Sequence, residues 1–243
     1  MSGAATHDEI LYGKLKLWQP QAGPRVNLDT VLLAAYVRLK PRAGSYFVEL
    51  GSATGAVSLL LALRFPQRFR ILGLEIQPEL EALAQRNRLE NGLGERVSFR
   101  RMDMRAHRSL SAESFDGLVV NPPYEEEGRG RKSLLESMSI ARQGNLGDVF
   151  QAASWLLKQK GRFYAVFRAV RTAEFLASMT GAGIEPKRLR FVYPRAGKRA
   201  NLFLVEGLKG GGSGAIVEPP LFVHDDAGYT SEVLQAYELE GLP

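Results

Sequence analysis

The chain reads as an α/β protein: a doubly wound, seven-stranded, mostly parallel sheet whose last strand runs in reverse. Three observations predict it. Apolar strand-like runs alternate with helical patterns from residue 45 to residue 208. Glycine and proline mark where many of those runs begin and end. The last two strand-like runs are joined only by "RAGKR", too short for a crossover helix, so they form an antiparallel hairpin.

The elements follow in order. "TVLLAAYVRL" (30–39) is a helix that Asp29 is placed to cap. "SYFVEL" (45–50) is a short buried strand, and "TGAVSLLLALRF" (54–65), apolar all round, is a helix packed on the sheet. "RILGLEI" (70–76) is the second strand. "PELEALAQRNRLENG" (78–92) is an amphipathic helix, with Pro78 at its first position and Gly92 at its stop. "RVSFRRMD" (96–103) and "FDGLVVN" (115–121) are strands three and four. "LGDVFQAASWLLKQKG" (146–161) is a helix ended by Gly161, and "RFYAVFR" (162–168) is strand five. A helix over 172–183 and strands over 186–194 and 200–208 complete the sheet. "KGGGSGA" (209–215) has the composition of a flexible linker. The tail beyond it has one strand-like run and one short helical stretch, expected to pack on the main body.

Composition removes several classes. The absence of cysteine excludes disulfides, thiolate nucleophiles and cysteine-based zinc sites, and it fits a reducing cytoplasm. His7, His107 and His224 are scattered without ligand spacing, so no metal is expected. No apolar run approaches the ~20 residues of a membrane span. "MSGAATHDEI" lacks the basic-then-apolar order of a secretory signal. The default is a cytoplasmic protein. A net charge of +6 favours a polyanion such as nucleic acid as partner, or serves solubility alone.

Three features point to a bound nucleoside. "ELGSATG" (49–55) turns from strand one into a helix, and Gly51 and Gly55 let the backbone approach a ligand at the helix N-terminus. A tight βα turn needs glycine whatever it binds. Glu75 ends strand two, twenty residues beyond Gly55, where an acid accepts from both ribose hydroxyls; an acid there is equally a plain strand-end charge. Asp103 ends strand three, where it can accept from an adenine amino group beside Met102 or Met104. The Gly-x-Gly-x-x-Gly fingerprint of dinucleotide sites is absent, and so is a Gly-Lys-Ser/Thr phosphate loop.

These residues resemble the class I S-adenosylmethionine-dependent methyltransferases. "ELGSATG" is similar to their first motif, with Glu49 in place of the usual Asp and Ala53 in place of the central Gly. The resemblance implies Glu49 near the methionine amino group, Glu75 on the ribose and Asp103 on the adenine. The expected cofactor set is Glu49, Gly51, Ser52, Ala53, Thr54, Gly55, Glu75, Ile76, Asp103, Met104, Asn121 and Thr30. Residues 1–44 then cover the cofactor, 45–208 form the methyltransferase core, and 209–243 form a linker and tail.

"NPPY" (121–124) follows strand four. Two prolines lock the turn, so Asn121 and the Pro122 carbonyl become fixed acceptors; Pro123 stiffens the turn and Tyr124 offers a face for stacking. Two acceptors gripping the N–H bonds of a planar amine raise electron density on its nitrogen. The tetrapeptide resembles the fourth motif of amino-group methyltransferases, which act on nucleobases or on glutamine. Arg129, Arg131, Lys132, Arg142, Arg195, Lys198 and Arg199 form a candidate basic rim for an RNA backbone. Glu125, Glu126 and Glu127 sit among them without an assigned purpose.

Over most of its length the chain resembles the bacterial transfer-RNA adenine-N6 methyltransferases that modify position 37 of a valine transfer RNA. "RVNLDTVLLAAYV" (25–37), "NPPYEEEGRGRKS", "GRFYAVFR" and "PKRLRFVYPRAGKRANLFLVEG" carry that resemblance. It implies methyl transfer to adenine N6 in RNA, probed against two alternatives: a protein glutamine N5-methyltransferase, and an RNA- and cofactor-binding protein with little activity.

Overall fold

The computed structural model describes residues 5–38, 44–66, 69–122 and 146–242. The N-terminal segment begins with a hairpin, β1 (Ala5–Ile10) and β2 (Leu15–Pro20), paired antiparallel from Ala5↔Pro20 to Ile10↔Leu15. The sequence reading gave these residues no strands. β2 alternates strictly, with Leu15, Leu17 and Gln19 buried. β1 alternates more weakly, with Thr6, Asp8 and Ile10 half-buried and His7 and Glu9 exposed.

Helix α1 (Leu28–Tyr36) follows. Its cap is Asn27, whose side chain accepts from the Thr30 N–H, so the expected cap moves from Asp29 to Asn27. The sheet is then built from β3 (Ser45–Leu50), β4 (Phe69–Glu75), β5 (Val97–Arg101), β6 (Phe115–Val120) and β7 (Leu157–Arg168). Between them run α2 (Ala56–Arg64), α3 (Pro78–Glu90) and α4 (Leu146–Leu156). Helix α5 (Thr172–Gly181), β8 (Ile184–Tyr193) and β9 (Leu202–Lys209) close the core.

Strand order is β8-β9-β7-β6-β3-β4-β5, and β9 runs antiparallel to both its neighbours. The doubly wound sheet with a reversed last strand is therefore present. The tail adds two short strands, β10 (Ile216–Val217) and β11 (Leu221–Phe222), both parallel to β8, giving nine. Beyond them lie a small hairpin, β12 (His224–Asp225) with β13 (Gly228–Tyr229), and helix α6 (Ser231–Tyr237).

Each strand feeds two cores by alternation. In β7, Tyr164 and Val166 join the cluster under α1, α2 and α6, while Phe163, Ala165 and Phe167 join the cluster under α4 and α5. Gly73 in β4 is needed for close approach: a Cβ there would stand 2.4 Å from the Phe99 ring and 2.8 Å from Ser52 Cβ.

Two expectations shift. The helix over 146–161 ends at Leu156, and β7 starts at once. Backbone N–H groups of Glu113 and Ser114 take the carbonyls of Trp155 and Leu156 (2.9 and 3.1 Å), drawing the chain into the sheet before Gly161. Residues 158–161 then bulge, as the register jumps from Phe115↔Leu157 to Gly117↔Arg162. The glycine run over 209–215 is tied down rather than loose. Gly210 N–H donates to the Gly183 carbonyl (2.9 Å), and Lys187 Nζ donates to the carbonyls of Gly212 and Gly214.

Candidate active site

The carboxyl ends of β5, β4, β3 and β6 lie side by side along one edge of the sheet. A cavity of about 520 Å³ opens there. Met102, Asp103, Met104 and Arg105 line it from β5, Glu75 and Ile76 from β4, Gly51 and Ala53 from β3, and Asn121 and Pro122 from β6. The edge of an open α/β sheet is where ligands of such folds bind.

The turn after β3 is fixed by its backbone. The N–H groups of Gly51 and Ser52 both donate to the Leu74 carbonyl (2.9 and 3.0 Å), and Gly55 N–H donates to the Ser52 carbonyl (2.7 Å). Gly51 has φ +69, and a Cβ there would meet no atom within 4 Å. Its place is open, which leaves backbone exposed to a ligand. Gly55, with φ +84, caps α2. Ala53 has φ 47, the left-handed region that costs an L residue roughly 1–2 kcal/mol. Its N–H donates to Glu75 Oε2 (2.8 Å), which holds the strained residue in place.

Glu75 is buried, and its other oxygen accepts from the Gln77 N–H (2.9 Å). Burial raises its pKa above the ordinary value, and the backbone hydrogen bonds oppose that shift. Asp103 is the more exposed acid. Arg105 grips it through its own N–H, Nε and Nη2 at 2.6–3.1 Å, which lowers the Asp103 pKa. Two acids thus line the same cavity with opposite shifts.

Glu49 does not line the cavity. It is buried at the foot of α2, where Oε2 accepts from Ser58 Oγ (2.5 Å) and Ser58 N–H (3.0 Å). Burial pushes its pKa up to about 8, against the pull of the Ser58 hydrogen bonds. Ser52, Thr54 and Thr30 are buried beside the turn or in α1 rather than on the cavity wall.

Within residues 1–44, the segment expected to cover the cofactor, the stretch between β2 and α1 forms a lid. Gly23, Pro24, Arg25, Val26 and Asn27 line the cavity from the segment between β2 and α1. Arg25 donates to Asp8 Oδ2 (2.8 Å), Thr6 Oγ1 (2.9 Å) and the Pro20 carbonyl (2.9 Å). Buried Gln19 accepts from the Val26 N–H (2.7 Å) and donates to Asp8 Oδ2 (2.9 Å). Hydrogen bonds from Thr6 first, then Gln19 and Arg25, lower the Asp8 pKa. Asp8 is thus the knot that ties the lid to the hairpin. Arg25 stands in the run "RVNLDTVLL", but nothing local marks a side chain whose partner is seventeen residues away.

The profile of a family described as a methyltransferase domain matches residues 42–181. The chain belongs to that family. This methyltransferase is 29% identical over 136 residues to a tRNA1(Val) (adenine(37)-N6)-methyltransferase of Actinobacillus pleuropneumoniae serotype 7, a match covering 56% of each chain. It therefore spans little more than half the length of that curated relative. A predicted O-methyltransferase from Agrobacterium tumefaciens has the same fold, at TM-score 0.73 and 22% identity over 88% of this chain and 98% of that one. A geranyl diphosphate methyltransferase solved in complex with S-adenosylmethionine has TM-score 0.53 and 15% identity over 73% and 82% of the two chains.

Of the Asn-Pro-Pro-Tyr turn, the methyltransferase shows Asn121 and Pro122 on the cavity wall. Pro123, Tyr124, Glu125, Glu126, Glu127, Arg129, Arg131, Lys132 and Arg142 lie outside the described residues. Arg195, Lys198 and Arg199 are exposed in the β8–β9 loop. Since β8 is antiparallel to β9 and β9 to β7, that loop lies on the same edge as the cavity. Among the described residues no cluster of three or more His, Cys, Asp or Glu is placed to hold a metal, and no helix is long and apolar enough to cross a membrane.

Proposed function

We propose that this methyltransferase moves a methyl group from S-adenosylmethionine to the N6 amino group of an adenine in RNA, in the simplest case a transfer RNA. The observation that carries the reading is the position of Asn121 and Pro122: they lie at the tip of β6, on the wall of the cavity that Glu75 and Asp103 also line.

The cavity suits S-adenosylmethionine. About 520 Å³ falls in the range of small-molecule sites. Gly51 leaves backbone open to a ligand, Glu75 is held as an acceptor for ribose hydroxyls, and Leu74, Ile76, Met102 and Met104 supply apolar walls for a base. When bound, the cofactor supplies an electrophilic sulfonium methyl.

The chain's own residues do the rest. Asn121 Oδ1 and the Pro122 carbonyl accept the two N–H bonds of the exocyclic amine. This grip raises electron density on a nitrogen whose lone pair is otherwise delocalised into the ring, and it aims that lone pair along the line of transfer. Positioning and electrostatics lower the barrier, and the proton leaves after transfer, so no strong base is needed. Asp103 is already held by Arg105, so it keeps only its remaining lone pairs for an adenine amino group. Arg195, Lys198 and Arg199 attract the RNA backbone. RNA as substrate implies work in the cytoplasm.

Labelled S-adenosylmethionine mixed with the protein and unmodified total transfer RNA tests this. Nuclease-sensitive label recovered as N6-methyladenosine is the expected result. Label found only in protein supports glutamine as the acceptor, and cofactor binding without any transfer supports a binding protein; either outcome sinks the proposal.

A further inference from the structure

The cavity edge continues past β6 into two turns, and the one that follows β7 has no role in the methyl-transfer reading. β7 leaves the sheet at Arg168 and turns immediately through Ala169–Arg171. That turn is pinned: Ala169 N–H donates to the Asn201 carbonyl (2.9 Å), Thr172 Oγ1 donates to the Ala169 carbonyl (2.7 Å), and Arg171 lies over the Phe167 ring (5.1 Å) while pairing with Glu174 (2.5 Å). At its tip stands Val170, 88% exposed, more than any other exposed large hydrophobic side chain among the described residues. A lone exposed valine needs no explanation in itself. Its placement is what matters.

In the sheet register Val120 faces Ala165, so Asn121 is one residue past the pair and Val170 five. The strand rise puts Val170 within roughly 15 Å of Asn121. Next to it, across Ala169–Asn201, is the β8–β9 loop. The two turns, 168–174 and 194–201, carry Arg168, Arg171, Arg195, Lys198 and Arg199 against a single acid, Glu174. A rigid apolar prong therefore rises from a cationic rim beside the acceptor turn.

An adenine that reaches Asn121 must leave its stack, and an apolar side chain inserted between base steps is a known means of unstacking them. We propose that Val170 is such a wedge: it enters the stack of a single-stranded RNA loop as the acceptor adenine leaves, while the two cationic turns hold the flanking phosphates. This rests on the RNA reading above.

The test uses the full chain and a stem-loop RNA carrying position 37 of a valine transfer RNA. 2-Aminopurine is placed beside the acceptor adenine and reports unstacking by fluorescence. The wild-type protein should raise the signal, and Val170→Leu should keep the rise. Val170→Gly should lose it and lower kcat about tenfold, with RNA Kd changed less than about threefold. Val170→Gly with an unchanged rise and rate, while wild type methylates RNA, overturns the wedge alone. Failure of the wild type to methylate any RNA adenine overturns the wedge and the RNA reading together. Methyl transfer to a protein that drops in Val170→Gly assigns the prong to a protein partner and also overturns the proposal.

Discussion

Glu49 and Asn121 sit a few residues from the same sheet edge and do different work. Asn121 faces the cavity, so its removal should cost catalysis and spare binding. We expect Asn121→Ala to lower kcat about 10²–10³-fold and to shift the Kd of S-adenosylhomocysteine by less than about threefold. A large loss of affinity in calorimetry would contradict the proposed grip of Asn121 on the acceptor. Glu49 is a different case, because its acidity couples to folding. Its ordinary value is 4.5 and burial raises it to about 8 in the fold. Between those values the folded state binds a proton that the unfolded chain has released. The stabilising contribution is thus complete below pH 4.5 and is lost as pH rises to about 8. The loss is on the order of a few kcal/mol. Denaturant unfolding of the cofactor-free protein at about pH 5.5, inside that window, and at about pH 8.5, just above it, should show wild type losing more stability with rising pH than Glu49→Gln. Equal pH dependence in the two proteins would show that Glu49 is not protonated in the fold. At this scale the sequence was partly legible. Strand-tip positions identified Gly51, Glu75, Asp103 and Asn121 as neighbours, because strand ends in a parallel sheet must converge. It did not reveal that Glu49 turns toward Ser58, since Glu49 and Asp103 are both simply acids near a strand end until burial is known.

Among the elements, the N-terminal hairpin depends on α3. Asn87 is buried; its Oδ1 accepts from the Trp18 N–H (2.7 Å), and its Nδ2 donates to the carbonyls of Trp18 and Thr54 (3.1 and 2.9 Å). One turn later Asn91 makes the same kind of bridge to Lys16. Outside these, Trp18 lies between the His7 ring at 4.6 Å and the Arg86 guanidinium at 3.4 Å. Two asparagines four apart, one in the last turn of α3 and one at its C-cap, thus close the open edge of β2, and the hairpin in turn holds the lid over the cavity through Asp8. We expect Asn87→Ala to cost about 2–3 kcal/mol and to weaken S-adenosylhomocysteine binding even though Asn87 does not line the cavity. Unchanged cofactor affinity alongside the lost stability would break the link between hairpin and lid. The core strands and helices were readable because their apolar periods are long and buried on both sides. β1 was not, since none of its side chains is fully buried: Thr6, Asp8 and Ile10 are half-buried on one face, and His7 and Glu9 are exposed on the other. The end of α4 was misplaced because the sheet, not a local breaker, stops that helix.

For the whole molecule, the tail is structural. Leu221, Val223, Val233 and Leu242 are buried in the core on the α1 and α2 face. Arg190, also buried, pairs with Glu232 (2.8 Å), and Arg188 joins Glu218 (2.8 Å) to Glu206. Four such apolar side chains contribute about 1.5–3 kcal/mol each, comparable with the 5–15 kcal/mol total stability of an ordinary domain. A chain cut after Gly214 should therefore show no cooperative thermal transition in calorimetry; a sharp melt near that of the full chain would make the tail dispensable. The sequence reading expected the tail on the main body with one strand-like run and one helical stretch; it did not resolve the short strands, because each is two residues long and carries no apolar period, β10 and β11 pairing with β8 and β12 with β13. The tail's contact with α1 also sets an order in time. Leu242 N–H donates to the Ala35 carbonyl (3.1 Å), and Arg38 Nη2 reaches the Leu242 carbonyl (3.3 Å). Helix α1 is made before the tail, and its outer cover follows some two hundred residues later, roughly 10–40 s at ordinary translation rates. Through that interval a nascent chain exposes the apolar flank of α1, the helix that carries the end of the lid, so ribosomes bearing it should recruit hydrophobic-binding chaperones until the last turn of tail is out.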